Sequence, residues 1–193
     1  MKKKLYFTIL CYLILIMANS CQGEEKQYTY NKKHETMDNT WKQTLEQRLP
    51  LLGHRNWIII TDMAYPQQTS SGITTLYAPD PYEQVASDVF NLIKDAPHIF
   101  PHIYLDKEQQ KLSETLCKGW DNYQILLKGI IKDSPVSYIS HEELIKKLDI
   151  ASQSFQVIII KTPLTLPYSS IFLEMDCKYW DATREKKLRE RGE

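Results

Sequence analysis

Apolar residues recur along the chain first at helical and then at strand spacing, and the two patterns alternate. Trp41, Leu45 and Leu49 stand four apart behind Thr40, which can cap a helix that Pro50 closes. Trp57-Ile58-Ile59-Ile60-Thr61 is an unbroken apolar, β-branched run, the pattern of a strand buried on both faces. Beyond the polar loop 66–72, Ile73 to Tyr77 reads as a second strand. Pro79-Asp80-Pro81 opens a helix whose stripe is Val85, Val89, Leu92 and Ile93, ended by Pro97. A short strand follows from His102 to Leu105, while the polar stretch 106–118 suits helix or loop equally. Trp120, Tyr123 and Leu127 return to helical spacing up to Gly129, and Val136 to Ile139 is a fourth strand. Ser140-His141-Glu142-Glu143 forms a capping box at the head of a helix running through Leu148. Gln156 to Ile160 and Ser170 to Met175 are the last two strands. The alternation predicts an α/β three-layer sandwich: a mostly parallel central sheet of about six strands with helices on both faces.

The two ends read differently. Lys2-Lys3-Lys4, an apolar run from Leu5 to Met17 and the small residues Ala18-Asn19-Ser20 have the form of a signal peptide over residues 1–20. About 13 apolar residues fall short of the roughly 20 that span a bilayer. Cys21 follows at once, so the segment resembles a lipoprotein signal with Cys21 as the lipidated residue and membrane anchor; plain secretion is the alternative. The expected location is outside the cytoplasm, lipid-anchored to a bacterial membrane on its periplasmic side or at the cell surface. Residues 21–38 are polar and read as a flexible tether. Residues 179–193 form a charged tail, a solvated helix or a frayed end.

Composition narrows the function. The 193 residues carry 24 basic and 24 acidic side chains, and loss of residues 1–20 leaves 21 against 24. Nothing here resembles an electrostatic footprint for nucleic acid. Cys117 and Cys177 remain after the signal, and two unpaired buried thiols are expected in preference to a bridge.

In open α/β sheets ligands gather outside the carboxyl ends of the strands. Asp62 follows the WIIIT strand directly, with His54 at that strand's entrance. His141 sits in the first turn of its helix, just past a strand. Tyr168 and Ser170 are two apart where the last strand begins, so an extended chain turns both to one face. Each also has a plain structural reading. His54 can end a helix, Asp62 can cap a turn before Pro66, His141 can face solvent, and Tyr168 can be a packed aromatic. His98 and His102 have helical metal-ligand spacing, but Pro101 between them argues against a regular helix, and no metal site is expected.

Taken together these residues resemble a family. Gly53-His54-Arg55-Asn56 leads through Trp57-Ile58-Ile59-Ile60-Thr61 to Asp62, Ala64 and Pro66. Tyr138-Ile139-Ser140-His141-Glu142-Glu143-Leu144 makes a second block. Ile158-Ile159-Ile160-Lys161-Thr162 followed by Pro167-Tyr168-Ser169-Ser170-Ile171-Phe172-Leu173 makes a third. In this order and spacing the blocks resemble the D-ribose pyranase and L-fucose mutarotase family, over about residues 40–176. Pro163-Leu164 stands where that family has Gly-Glu, and Ser170 where it has Asn. The resemblance implies a monosaccharide-binding domain over 39–178. It also implies an isomerase that interconverts anomers or ring forms of a ribose- or fucose-like sugar, with no cofactor and no metal. The implied catalytic residues are His54, His141 and Tyr168, with Asp62 and Ser170 binding substrate. His54 is the first candidate for acid/base, since imidazole titrates near neutral pH. Asp62 takes sugar hydroxyls or orients His54. His141, at a helix N-terminus, is expected to be biased toward its neutral form. The resemblance further implies a ring-shaped homo-oligomer in which the tyrosine segment completes a neighbour's pocket. A non-catalytic monosaccharide-binding lipoprotein with the same pocket is the rival reading.

Overall fold

The computed structural model describes residues 40–191; the signal segment, Cys21 and the tether lie outside the described residues. The elements in chain order are α1 Thr40–Arg48, β1 Trp57–Thr61, β2 Ile73–Tyr77, α2 Tyr82–Asp95, β3 Ile99–Asp106 and α3 Trp120–Ile131. They continue as β4 Val136–Ile139, α4 His141–Ala151, β5 Val157–Lys161, β6 Ile171–Cys177 and α5 Ala182–Arg189. The six strands form one sheet in the order β2-β5-β1-β6-β3-β4. Five run the same way and β6 runs against them, pairing antiparallel with both β1 and β3. The reversal has a local cause. Residues 162–170 hold no helix, and a parallel return needs a crossover of a dozen residues or more.

Alternation along the strands divides the core. Ile58, Ile60, Ile158, Ile160, Leu173 and Met175 face one way, packed under α1, α2 and α3. Trp57, Ile59, Val157, Ile159 and Phe172 face the other way, where Leu144 and Leu148 of α4 cover them. Each such buried side chain stabilises the fold by about 1.5–3 kcal/mol. Among the described residues the second face has one helix. Phe172 of β6 is buried beneath it, but Glu174 and Asp176, next on that face, are only half-buried. Polar groups therefore occupy this face near the amino end of β1.

Several boundaries differ from the expectation. β3 starts at Ile99, not at His102, and includes Pro101. β4 pairs only with Ile103–Asp106, so the missing proline N–H falls on an unpaired edge and costs no ladder bond. Helix α3 runs past Gly129 to Ile131. Residues 107–111 form a 3-10 turn, and α5 is a solvated helix with no buried side chain. Cys117 and Cys177 are free, and half-buried rather than buried. No described helix is long and apolar enough to cross a membrane.

Candidate functional site

Strand pairing assembles the carboxyl end. Asp106 closes β3 opposite Ile139, the last residue of β4, and His141 lies two residues further on. The imidazole therefore arrives beside the carboxylate: His141 Nδ1 is 2.9 Å from Asp106 Oδ1. The Asp106 side chain is sealed from solvent, while His141 keeps a third of its surface exposed. Ser140 caps α4 through the expected capping box, and Glu108 accepts the His141 backbone N–H at 3.1 Å. The Asp106 Oδ2, Tyr65 hydroxyl and Gln109 Nε2 are buried without hydrogen-bond partners among the described residues.

Tyr168 joins this group from the β5–β6 connection. Its ring meets His141 edge-on, with centroids 5.7 Å apart. Its backbone is left-handed, φ 54°, a conformation that costs a non-glycine residue about 1–3 kcal/mol. Two buried phenols hold it there. Tyr82 of α2 and Tyr123 of α3 both donate to the Ser169 carbonyl, at 2.6 and 2.9 Å. Burial raises both phenols, so they remain donors. The left-handed residue also breaks the alternation expected for an extended chain. Tyr168 is exposed, whereas Ser170 turns inward, 2% exposed, with its Oγ 2.8 Å from Thr61 Oγ1. Asp62 accepts the Ala64 N–H at 2.8 Å, so it caps the turn after β1 while remaining at this end.

The protonation of His141 runs opposite to the helix-dipole expectation. The hydrogen bond to Asp106 raises its pKa, against a smaller opposing effect of burial, with Asp106, Glu108 and Glu142 adding their charges. Burial raises the Asp106 carboxyl as well, more than the His141 contact lowers it. Both shifts have one meaning: the pair titrates as a unit and holds its proton more tightly than free imidazole. A buried carboxylate at contact distance outweighs a helix terminus, whose effect is about 0.3–1 kcal/mol.

His54 is elsewhere. It precedes β1, and the strand alone separates its own ends by about 13 Å at about 3.3 Å per residue. Asp62 therefore does not orient it within one chain. Asp176 does: His54 Nδ1 lies 2.6 Å from Asp176 Oδ1, and His102 Nε2 lies 3.0 Å from Asp176 Oδ2. The turn carrying His54 is bolted to β6. Arg55, itself left-handed at φ 72°, donates to the Met175 carbonyl at 2.9 Å, and Met175 donates back to Asn56 at 2.8 Å. His102 also lines a cavity of about 760 Å³ between α2, α3 and the first half of β3. His98 instead contacts the Leu52 carbonyl, so the His98 and His102 imidazoles do not turn to one point.

The described residues thus carry two imidazole–carboxylate groups, one at each end of the sheet: His141 on Asp106, and His54 with His102 on Asp176. Sequence reasoning found the His54 and His141 imidazoles and missed both carboxylates. Asp106 had a signal, being the first polar residue after an apolar strand. Asp176 had none, because its approach to His54 depends on β6 running antiparallel to β1.

No protein-family model and no curated protein matches the chain. Among solved structures it is similar to RbsD of Bacillus subtilis complexed with D-ribose, at 18% identity over 69% of this chain and 91% of that one, TM-score 0.49. It is similar to the fucose mutarotase of Streptococcus pneumoniae in complex with L-fucose, at 17% identity over 69% and 91%, TM-score 0.45. FucU from Bifidobacterium longum gives 13% identity over 69% and 92%, TM-score 0.46. Each is a protein this chain is similar to across about two thirds of its length, and the chemistry is read from the chain's own residues.

Proposed function

We propose that the protein is a cofactor-free monosaccharide mutarotase or pyranase, carried on a lipid anchor at Cys21. The observation that carries this reading is the Asp106–His141–Tyr168 group: an imidazole tethered to a sealed carboxylate, with a phenol against its edge. Tethering is through Nδ1, and no hydrogen bond occupies Nε2 among the described residues, so that nitrogen is free for proton transfer. The three ordered sequence blocks support the same assignment.

Ring opening of a cyclic hemiacetal needs two proton transfers. A base takes the anomeric hydroxyl proton, its electron pair forms the carbonyl, the bond from C1 to the ring oxygen breaks, and an acid protonates that oxygen. Reclosure on the other carbonyl face, or from another hydroxyl, gives the second anomer or ring form. Each positioned acid–base group contributes roughly 10²–10⁴-fold. His141 with Tyr168 supplies one such station, and His54 supplies the other. Since β1 separates them in one chain, the complete site lies between copies in a ring-shaped homo-oligomer, with His54 of one copy facing the tyrosine segment of its neighbour. Asp62 receives sugar hydroxyls.

The test is NMR saturation transfer between anomers and ring forms over a panel including ribose and fucose. His54→Ala and His141→Ala should each abolish enhanced exchange while remaining folded. Co-assembled, they should recover about one site in four by random assortment around a closed ring. No recovery on mixing would place the site within one chain. Binding without exchange on any sugar would favour a non-catalytic sugar-binding protein. Ser170 spends its hydroxyl on Thr61 in the interior and takes no part in either reading.

A further inference from the structure

The carboxylate that serves His54 is not one that the sequence blocks supply. Asp176 stands on β6 beside the β1 entrance, and each of its oxygens faces a different imidazole, at 2.6 Å and 3.0 Å. The Cys177 backbone N–H also donates to its Oδ1 at 2.7 Å. The His54 side chain is 58% exposed, and no hydrogen bond occupies its Nε2 among the described residues. His102 is braced in turn by the edge-on ring of Phe100 and borders the cavity already described. Glu174, the neighbouring carboxylate on this face, is occupied separately by the Tyr104 hydroxyl at 3.0 Å.

We propose that Asp176 is the positioning residue of His54, with His102 fixing the far side of that carboxylate, so that the three side chains form one acid–base unit. The carboxylate accepts the His54 Nδ1–H, which sets the tautomer and leaves Nε2 as the acceptor that meets the anomeric hydroxyl. The His102 Nε2–H satisfies the second oxygen and stops the carboxylate from rotating away. Asp176 stays anionic throughout: burial pushes its carboxyl up, but the contacts from His102, Cys177 and His54 outweigh this and hold it at about 2. The arrangement resembles in logic the carboxylate behind any general-base histidine, with a second imidazole added behind the carboxylate.

The catalytic half of this proposal rests on the mutarotase reading of His54; the positioning half does not. Long-range nitrogen–proton NMR on the full chain reads the tautomers directly. In wild type, His54 should be the Nδ1–H form and His102 the Nε2–H form. Asp176→Ala should release His54 toward the mixture of an exposed imidazole. Asp176→Asn, which keeps size and puts an amide donor against one ring, should invert the tautomer of that ring. His102→Gln keeps a donor to Oδ2 and should leave His54 as in wild type. In exchange assays Asp176→Asn should lower kcat roughly 10–100-fold with KM little changed. An unchanged His54 tautomer in folded Asp176→Ala overturns the proposal, whatever the activity. Tautomers that change as stated in a protein with no exchange activity on any sugar sustain the positioning and sink the mutarotase reading instead.

Discussion

At the scale of the residue, the informative contacts are between an imidazole and a carboxylate. His141 gains a proton affinity that its position on a helix N-terminus opposes, because Asp106 is closer and drier than the helix terminus is strong. The direction fixes a pH dependence. A folded pKa above the unfolded value near 6.5 contributes stability that is fully present below that value. It is lost as pH climbs through the raised folded pKa. His141→Gln should therefore unfold at a lower temperature than wild type at pH 5.5–6.5, and the gap should shrink by pH 9. A gap constant from pH 5.5 to 9 in thermal melts would contradict the shift. Both histidines were visible as candidates because they flank apolar runs. Ser170 was visible for the same reason and proved to be interior. One left-handed residue, Tyr168, changes which side chain points out.

At the scale of the element, α4 joins stability and site. Among the described helices it covers one face of the sheet, through Leu144 and Leu148, and it presents His141 in its first turn. Its capping box was legible in the sequence because the whole motif spans four residues. Ser140→Ala should cost about 1 kcal/mol by chemical denaturation. It should also weaken exchange more than that loss explains, because the frayed turn is the one that holds His141 against Asp106. Retained activity with the expected stability loss would show that Asp106 and Glu108 position the imidazole without the cap. Strand β6 is the contrasting element. Its apolar pattern announced a strand, but its direction followed from the helix-free connection 162–170. That direction brings Asp176 to His54.

At the scale of the whole molecule, the sheet separates two chemical stations that a sugar isomerase needs close together. The proposed function therefore requires assembly between copies, which the subunit-mixing experiment tests. The proposed anchor would add a geometric condition, that residues 21–38 of all copies reach one membrane. Radioactive palmitate should label the wild type and not Cys21→Ser; equal labelling of both would remove the anchor from the proposal. The 760 Å³ cavity lies away from the Asp106–His141 group and meets the Asp176 cluster at His102. Volume alone is thus a poor guide to the site.

The sequence by itself determined which segments become strands and helices, since a side chain's preference for a buried face repeats every two or 3.6 residues and can be counted. It also placed His54, Asp62, His141 and Tyr168 at strand ends, since the spacing between strands is short. Only the tertiary structure decided who meets whom. Asp106 with His141 depends on the register of β3 against β4, and Asp176 with His54 depends on β6 being threaded backwards between β1 and β3. Those pairings join residues 35 and 122 positions apart. No periodicity reaches that far, because long-range pairing is chosen by the packing of whole faces and not by neighbours in the chain.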